Sequence, residues 1–128
     1  MIDLDHFKAI NDQFGPSAGN LLLQHFAEIM RRCVRRDEFV GRTGGAEFLA
    51  VMPYADAETD KLLIERLRAT ASATPFCFGE HELSLTCSAG VVHTETPDQS
   101  VDALMQRADQ ALYAAKNTGR DRVLVAAA

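Results

Sequence analysis

Long apolar runs are missing from these 128 residues: no stretch approaches the ~18 residues of a membrane-spanning helix. The chain opens without a basic stretch followed by an apolar one, so it reads as a soluble, cytoplasmic domain, alone or as the cytoplasmic part of a larger protein. Positive charge is not in surplus. Thirteen Lys and Arg against eighteen Asp and Glu leave a formal charge of -5, which argues against a nucleic-acid polymer or an anionic membrane engaging the whole surface. A local basic patch is still allowed. Cysteine is sparse: Cys33, Cys77 and Cys87 are odd in number, widely spaced and in no CxxC pair. That usage points to a reducing compartment and to three small buried apolar residues. Internal repeats, linkers and low-complexity tracts are also lacking.

What is present is an ordinary globular balance, 47% hydrophobic and 24% charged, in a chain long enough for one hydrophobic core. Met1 to Asp5 alternates apolar and acidic residues as a half-buried strand does, with nothing before it. Either the chain begins inside a strand or an upstream part has been removed. Leu22, Phe26, Ile29 and Cys33 share one face of a helix expected over about 21–35. Two short strands follow over 38–42 and 47–52, joined by Thr43-Gly44-Gly45-Ala46, where the Gly pair can take positive φ, and Pro53 ends the hairpin. Asp56 offers an N-cap to a second helix with Leu63, Leu67 and Ala71 on its core face, stopped at Thr74-Pro75. A strand is expected over 83–92. Ser100 caps a third helix whose core face is Val101, Leu104, Ala108, Ala111, Leu112 and Ala115, with Gly119 at the C′ position and a last strand over 122–125. The first six of these elements spell βαββαβ. That is the ferredoxin-like pattern, an α+β fold with helices against an antiparallel sheet, extended here by a C-terminal helix and strand.

Four stretches carry chemistry: Asp3-Leu4-Asp5-His6-Phe7-Lys8 with Asn11-Asp12; Gly15 to Asn20; Arg42-Thr43-Gly44-Gly45-Ala46-Glu47-Phe48; and Arg107 to Tyr113 with Ala115-Lys116 and Gly119-Arg120. Singly, each has a plain reading. Asp3 is then a solvated strand-end carboxylate, Gly44-Gly45 a tight turn, and Lys116 with Arg120 a complement to a helix C-terminus. Their joint order and spacing closely resemble the GGDEF domain of diguanylate cyclases over essentially the whole chain. The family's usual opening, a helix with a D-x-L-T-G-L-x-N-R signature, does not precede them. The resemblance therefore implies a single GGDEF domain over 1–128, cut inside its first strand and excised from a longer multidomain protein.

The resemblance implies a palm-type nucleotide-cyclase fold and an activity that joins two GTP into cyclic di-GMP across two facing domains. The partner is then a second copy or another domain of GGDEF or EAL type. It implies Mg²⁺ held by Asp3, the backbone carbonyl of Leu4 and Glu47, since Mg²⁺ commonly takes one or two carboxylates with substrate oxygens. Asp5, on the same strand face as Asp3, takes a mostly structural part. Phosphate contacts fall to the backbone at His6 and Phe7, and to Lys8, Lys116 and Arg120. Asn11 and Asn20 match the guanine-contacting positions.

Three departures stand out. Ala46 replaces the third signature letter, a carboxylate assigned to the metal and to activation of the attacking hydroxyl, leaving Glu47 as the residual catalytic group. Asn20 replaces an acidic residue that accepts two N–H groups of guanine, and an amide has one accepting oxygen. Pro16 replaces a His. The inhibitory R-x-x-D site of the family corresponds to Arg35 and Glu38, with Arg66 as a secondary contact. The arginines at 31, 32, 35 and 36 otherwise read as cations stabilising a helix end. His25, His81 and His93 read as incidental, lacking metal-like spacing. The expected function is a degenerate GGDEF domain, inactive or weak, that receives GTP or cyclic di-GMP; the alternatives are a working cyclase and a protein-interaction scaffold with a relic site.

Overall fold

The computed structural model describes residues 1–54, 56–95 and 99–126. Its strands and helices run in the order β1 (Ile2–Leu4), α1 (Phe7–Phe14), α2 (Pro16–Cys33), β2 (Phe39–Gly44), β3 (Glu47–Val51), α3 (Ala57–Ala73), β4 (Phe76–Phe78), β5 (His81–Leu83), β6 (Cys87–Val91), α4 (Val101–Asn117) and β7 (Val123–Val125). The main sheet has the strand order β2-β3-β1-β6-β7, with β7 parallel to β6 and every other pairing antiparallel. Leaving out β7, this is the ferredoxin-like order expected from the sequence. None of the described helices is long and apolar enough to cross a membrane.

The expected caps and turns are present. Asp56 accepts a hydrogen bond from Thr59 N–H at 2.7 Å and Ser100 accepts one from Ala103 N–H at 3.1 Å, each satisfying a free first-turn donor. Gly45 closes the β2–β3 hairpin at φ 52°, and Gly119 lies just past α4 at φ 129°.

Other segments differ from the expectation. Residues 6–20, read only as motif, form α1 and the first turn of α2. Phe7, Ile10 and Phe14 repeat at helical spacing, and Phe7 and Ile10 pack against the core. Gly15, at φ 91°, separates the two helices, and Pro16 occupies the first helical position of α2, where its missing N–H costs nothing. The strand expected over 83–92 is two strands. Gly79 at φ 60° reverses the chain, so that Phe76 pairs with Leu83 and Phe78 with His81 in a separate hairpin, and β6 begins only where Leu4 meets Cys87. Leu63 is half-buried while Ile64 is 3% exposed, and Val101 is an exposed residue at the start of α4. Cys77, expected in the core, is exposed on β4, whereas Cys33 and Cys87 are buried. Burial pushes the Cys87 thiol up to about 12, so it stays protonated and inert.

The sheet is covered on both faces. Ile2, Leu4, Phe48, Ala89 and Val91 meet Leu22, Phe26, Ile64 and Leu67 of α2 and α3 in the larger core. Full burial of a side chain such as Phe26 contributes about 1.5–3 kcal/mol. On the other face Met1 packs with Ala108 and Leu112 of α4. Strand β6 is buried along its whole length, which is why its alternation is small and polar on one side (Ser88, Gly90).

Candidate nucleotide site

The central strand delivers the site. Ile2 and Leu4 point into the core at 1% and 4% exposure, so by strand alternation Asp3 and Asp5 face the α4 side. Asp3 meets the ammonium of Lys116, which reaches it from the last turn of α4. Asp5 is buried and fully engaged, its carboxylate accepting from Thr86 Oγ1 and Ser88 Oγ at 2.7 Å each and from Asp121 N–H at 3.0 Å. Its part is structural, as the resemblance implies.

After β1 the chain turns through His6 in a left-handed conformation (φ 59°) into α1, a helix with no side-chain hydrogen bond at its N-cap. The first-turn amides of such a helix suit an anion. They open onto a cleft of about 550 Å³ lined by Asp3, Leu4, His6, Phe7, Lys8, Asp12, Ala46, Lys116 and Arg120, among others. Seven of the expected site residues are thus brought together: Asp3, Leu4, His6, Phe7, Lys8, Lys116 and Arg120. Ala46 is there too, anchored by Leu4 N–H donating to its carbonyl at 3.1 Å, so its methyl group stands one residue away from the Asp3 register. A more apolar cleft of about 390 Å³ opens near Met1, Leu49 and Met105, and no lysine or arginine lines it. The cations Lys8, Lys116 and Arg120 are thus gathered at the first cleft.

Glu47 does not line that cleft but lies opposite Asp3 in the β1–β3 register. Burial, then the charges of Asp109 and Asp3, hold its carboxyl above the usual carboxylate range. Asp109, seven residues before Lys116 on α4, is a neighbour that sequence reasoning named only as part of a motif. Its i, i+7 spacing to Lys116 was the available signal. Two carboxylates and a backbone carbonyl are a donor set that suits Mg²⁺, and the mutual repulsion around Glu47 is what a cation relieves. Among the described residues no three metal-binding side chains cluster, and Ala46 adds no donor.

Glu47 gives a prediction. Its folded pKa lies above the unfolded one, so it costs nothing below the unfolded value, and its ionisation draws stability down as the pH rises through the folded value. Glu47→Gln is expected to raise metal-free stability near neutral pH by under about 1 kcal/mol, given its partial exposure, and to leave it unchanged near pH 3, as read by urea unfolding.

The other expected residues lie apart. Asn11 on α1 packs its amide against Gly19 of α2, where a methyl group would collide with it, and Asn20 is exposed on α2. Arg35 and Glu38 form the turn after α2. Arg35 N–H donates to the Glu38 carboxylate at 2.5 Å and Glu38 N–H to the Arg35 carbonyl at 3.1 Å, so the carboxylate is drawn to backbone. The Arg35 guanidinium is exposed, as is Arg66 on α3. Arg31 and Arg32 pair with Glu28 along α2. His25 contacts Thr74 O at 3.1 Å, the His81 ring meets Phe14 at a 59° tilt, and His93 meets the buried Asp60 at 3.1 Å, each apart from the first cleft.

This arrangement has counterparts. Residues 1–122 match the family described as diguanylate cyclase, GGDEF domain. The diguanylate cyclase DgcP of Pseudomonas aeruginosa is 46% identical over 98% of this chain, and diguanylate cyclase A of Treponema denticola 34% over 96%. The chain spans only 19% and 33% of those proteins. Among solved structures, the active GGEEF domain of a Vibrio cholerae diguanylate cyclase superposes with a TM-score of 0.91 at 35% identity, covering 99% of this chain and 80% of that one. The GGDEF domain of DgcB from Caulobacter crescentus, in complex with c-di-GMP, gives a TM-score of 0.91 at 32% identity, covering 97% and 74%. With the sequence motifs, the cleft and these likenesses in agreement, the chain belongs to the GGDEF domain family.

Proposed function

We propose that this domain works in cyclic di-GMP signalling as a degenerate GGDEF module that binds GTP or cyclic di-GMP and is catalytically inactive or weak. One observation carries the reading: a methyl group, that of Ala46, lines the phosphate cleft at the signature position where the Vibrio cholerae domain described as active has Glu. A methyl group neither binds a cation nor accepts a proton. The kept cations Lys8, Lys116 and Arg120 support nucleotide binding, with Mg²⁺ held by Asp3, Leu4 and Glu47. The exposed Arg35 and Arg66 support a separate contact with cyclic di-GMP, the ligand carried by the Caulobacter domain. The second reading, a working cyclase, is favoured by Glu47 standing opposite Asp3.

Calorimetric titration of the purified protein with GTP, ATP and cyclic di-GMP tests the proposal. The expected result is binding of GTP or cyclic di-GMP, with cyclic di-GMP binding weakened at least roughly tenfold in Arg35→Ala and GTP binding unchanged. Binding of no nucleotide sinks the proposal in favour of a scaffold. Cyclic di-GMP made from GTP at an ordinary enzymatic rate sinks it in favour of a cyclase.

A further inference from the structure

Arg120 stands on a backbone that few side chains tolerate. Gly119, Arg120 and Asp121 have φ of 129°, 61° and 45°, so two consecutive residues bearing a Cβ have positive φ. Such a turn persists only where its surroundings over-determine it. Here Arg120 N–H donates to the Ala115 carbonyl, Arg122 Nε donates to the Arg120 carbonyl, and Asp121 N–H donates to Asp5 Oδ2, each at 3.0 Å. Asp5 is itself immobilised by Thr86 and Ser88, at 4% exposure. From the other side Arg68 of α3 donates through Nη1 to Asp121 Oδ1 at 2.8 Å, while its Nε donates to Glu65 at 3.1 Å. The turn is gripped by its backbone from β1 and by its side chain from α3.

We propose that Asp5 and Arg68 are positioning residues for Arg120, together holding its guanidinium toward the phosphates of a bound nucleotide. The inference rests on the nucleotide-binding reading above and adds to it a contact from α3, because Arg68 does not line the cleft. A charge-assisted hydrogen bond depends on where its donor is held, so loosening the turn weakens the phosphate contact and leaves the base contact alone.

Calorimetry with GTP in MgCl₂ and with guanosine, on the wild type and on Arg68→Ala, reads this directly. GTP affinity falls roughly tenfold, guanosine affinity does not change, and Arg68→Lys recovers part of the loss. In an Arg120→Ala background, Arg68→Ala costs nothing more. An equal loss for guanosine, or the same loss without Arg120, overturns the proposal and leaves Arg68 merely structural. Amide hydrogen exchange gives a readout that needs no ligand. Protection of the Asp121 and Arg120 amides, relative to Ala89 in β6, falls roughly tenfold in Arg68→Ala and in Asp121→Ala. Unchanged protection overturns the positioning even in a protein that binds no GTP, and absence of GTP binding by the wild type fails the nucleotide reading on its own.

Discussion

Ala46→Asp is expected to raise cyclic di-GMP formation by about 10² to 10⁴, the range over which a positioned base or a transition-state-stabilising group acts. The geometry is already prepared. Residue 46 lines the cleft with Asp3, Lys116 and Arg120, its carbonyl is tied to Leu4 N–H at 3.1 Å, and it sits next to Gly45, whose positive φ fixes the hairpin turn. On the proposed reading, a carboxylate there would add a cation donor beside Asp3 and would offer the attacking hydroxyl an acceptor. The check is chromatographic detection of product from GTP and Mg²⁺ at protein concentrations that allow two domains to meet. Ala46→Asn, similar in size and uncharged, should not rescue. A variant that binds GTP yet stays as slow as the parent moves the defect elsewhere, and Asn20 is the next place to look. If Asn20 takes the guanine-contacting place that the family resemblance implies, its amide would offer one acceptor where a carboxylate offers two, and Ala46→Asp combined with Asn20→Asp would then be the active form.

Gly90→Ala is expected to cost about 3 kcal/mol or more, at the upper end for overpacking a core. A Cβ at this position would overlap the carbonyl oxygen of Ala108 and the amide nitrogen of Leu112, which are backbone atoms of α4 with no rotamer to give way. Strand β6 cannot retreat, since β1 and β7 hold it from both sides. The helix must move out instead, carrying Lys116 away from Asp3, so nucleotide affinity falls along with stability. Urea unfolding with an unchanged slope and a lower midpoint is the expected signature. A loss under about 1 kcal/mol would mean that the helix yields more easily than this contact implies.

Much of this molecule is legible in one dimension. Capping by Asp56 and Ser100, the Gly44-Gly45 turn, and the helical faces of 22–33 and 104–115 are encoded by neighbours three or four residues apart, where side chains and backbone interact locally. The cations Lys8, Lys116 and Arg120 of the cleft, and Ala46 beside them, are likewise legible, because motif spacing records which residues a fold can bring together. Helix α1 is hard to read from the sequence because it has only eight residues and is followed at once by Gly15-Pro16, a pair that reads as a loop. The β4–β5 hairpin was hidden by the alternation from Leu83 to Val91. That alternation continues through residues 84–86, which lie between the two strands, while the pairing partner changes from β4 to β1.

Local sequence, then, settles the family, the α+β class with its βαββαβ core, and the identity of the groups that bear charge. Which charge meets which is settled by contacts more than a hundred residues apart: Lys116 with Asp3, and Asp121 N–H with Asp5. The same holds for the closeness of β6 to α4 that makes Gly90 obligatory. Periodicity reports which face of an element is buried, but the element that covers it, and the field each carboxylate then feels, arise only when the sheet closes between its two layers of helices.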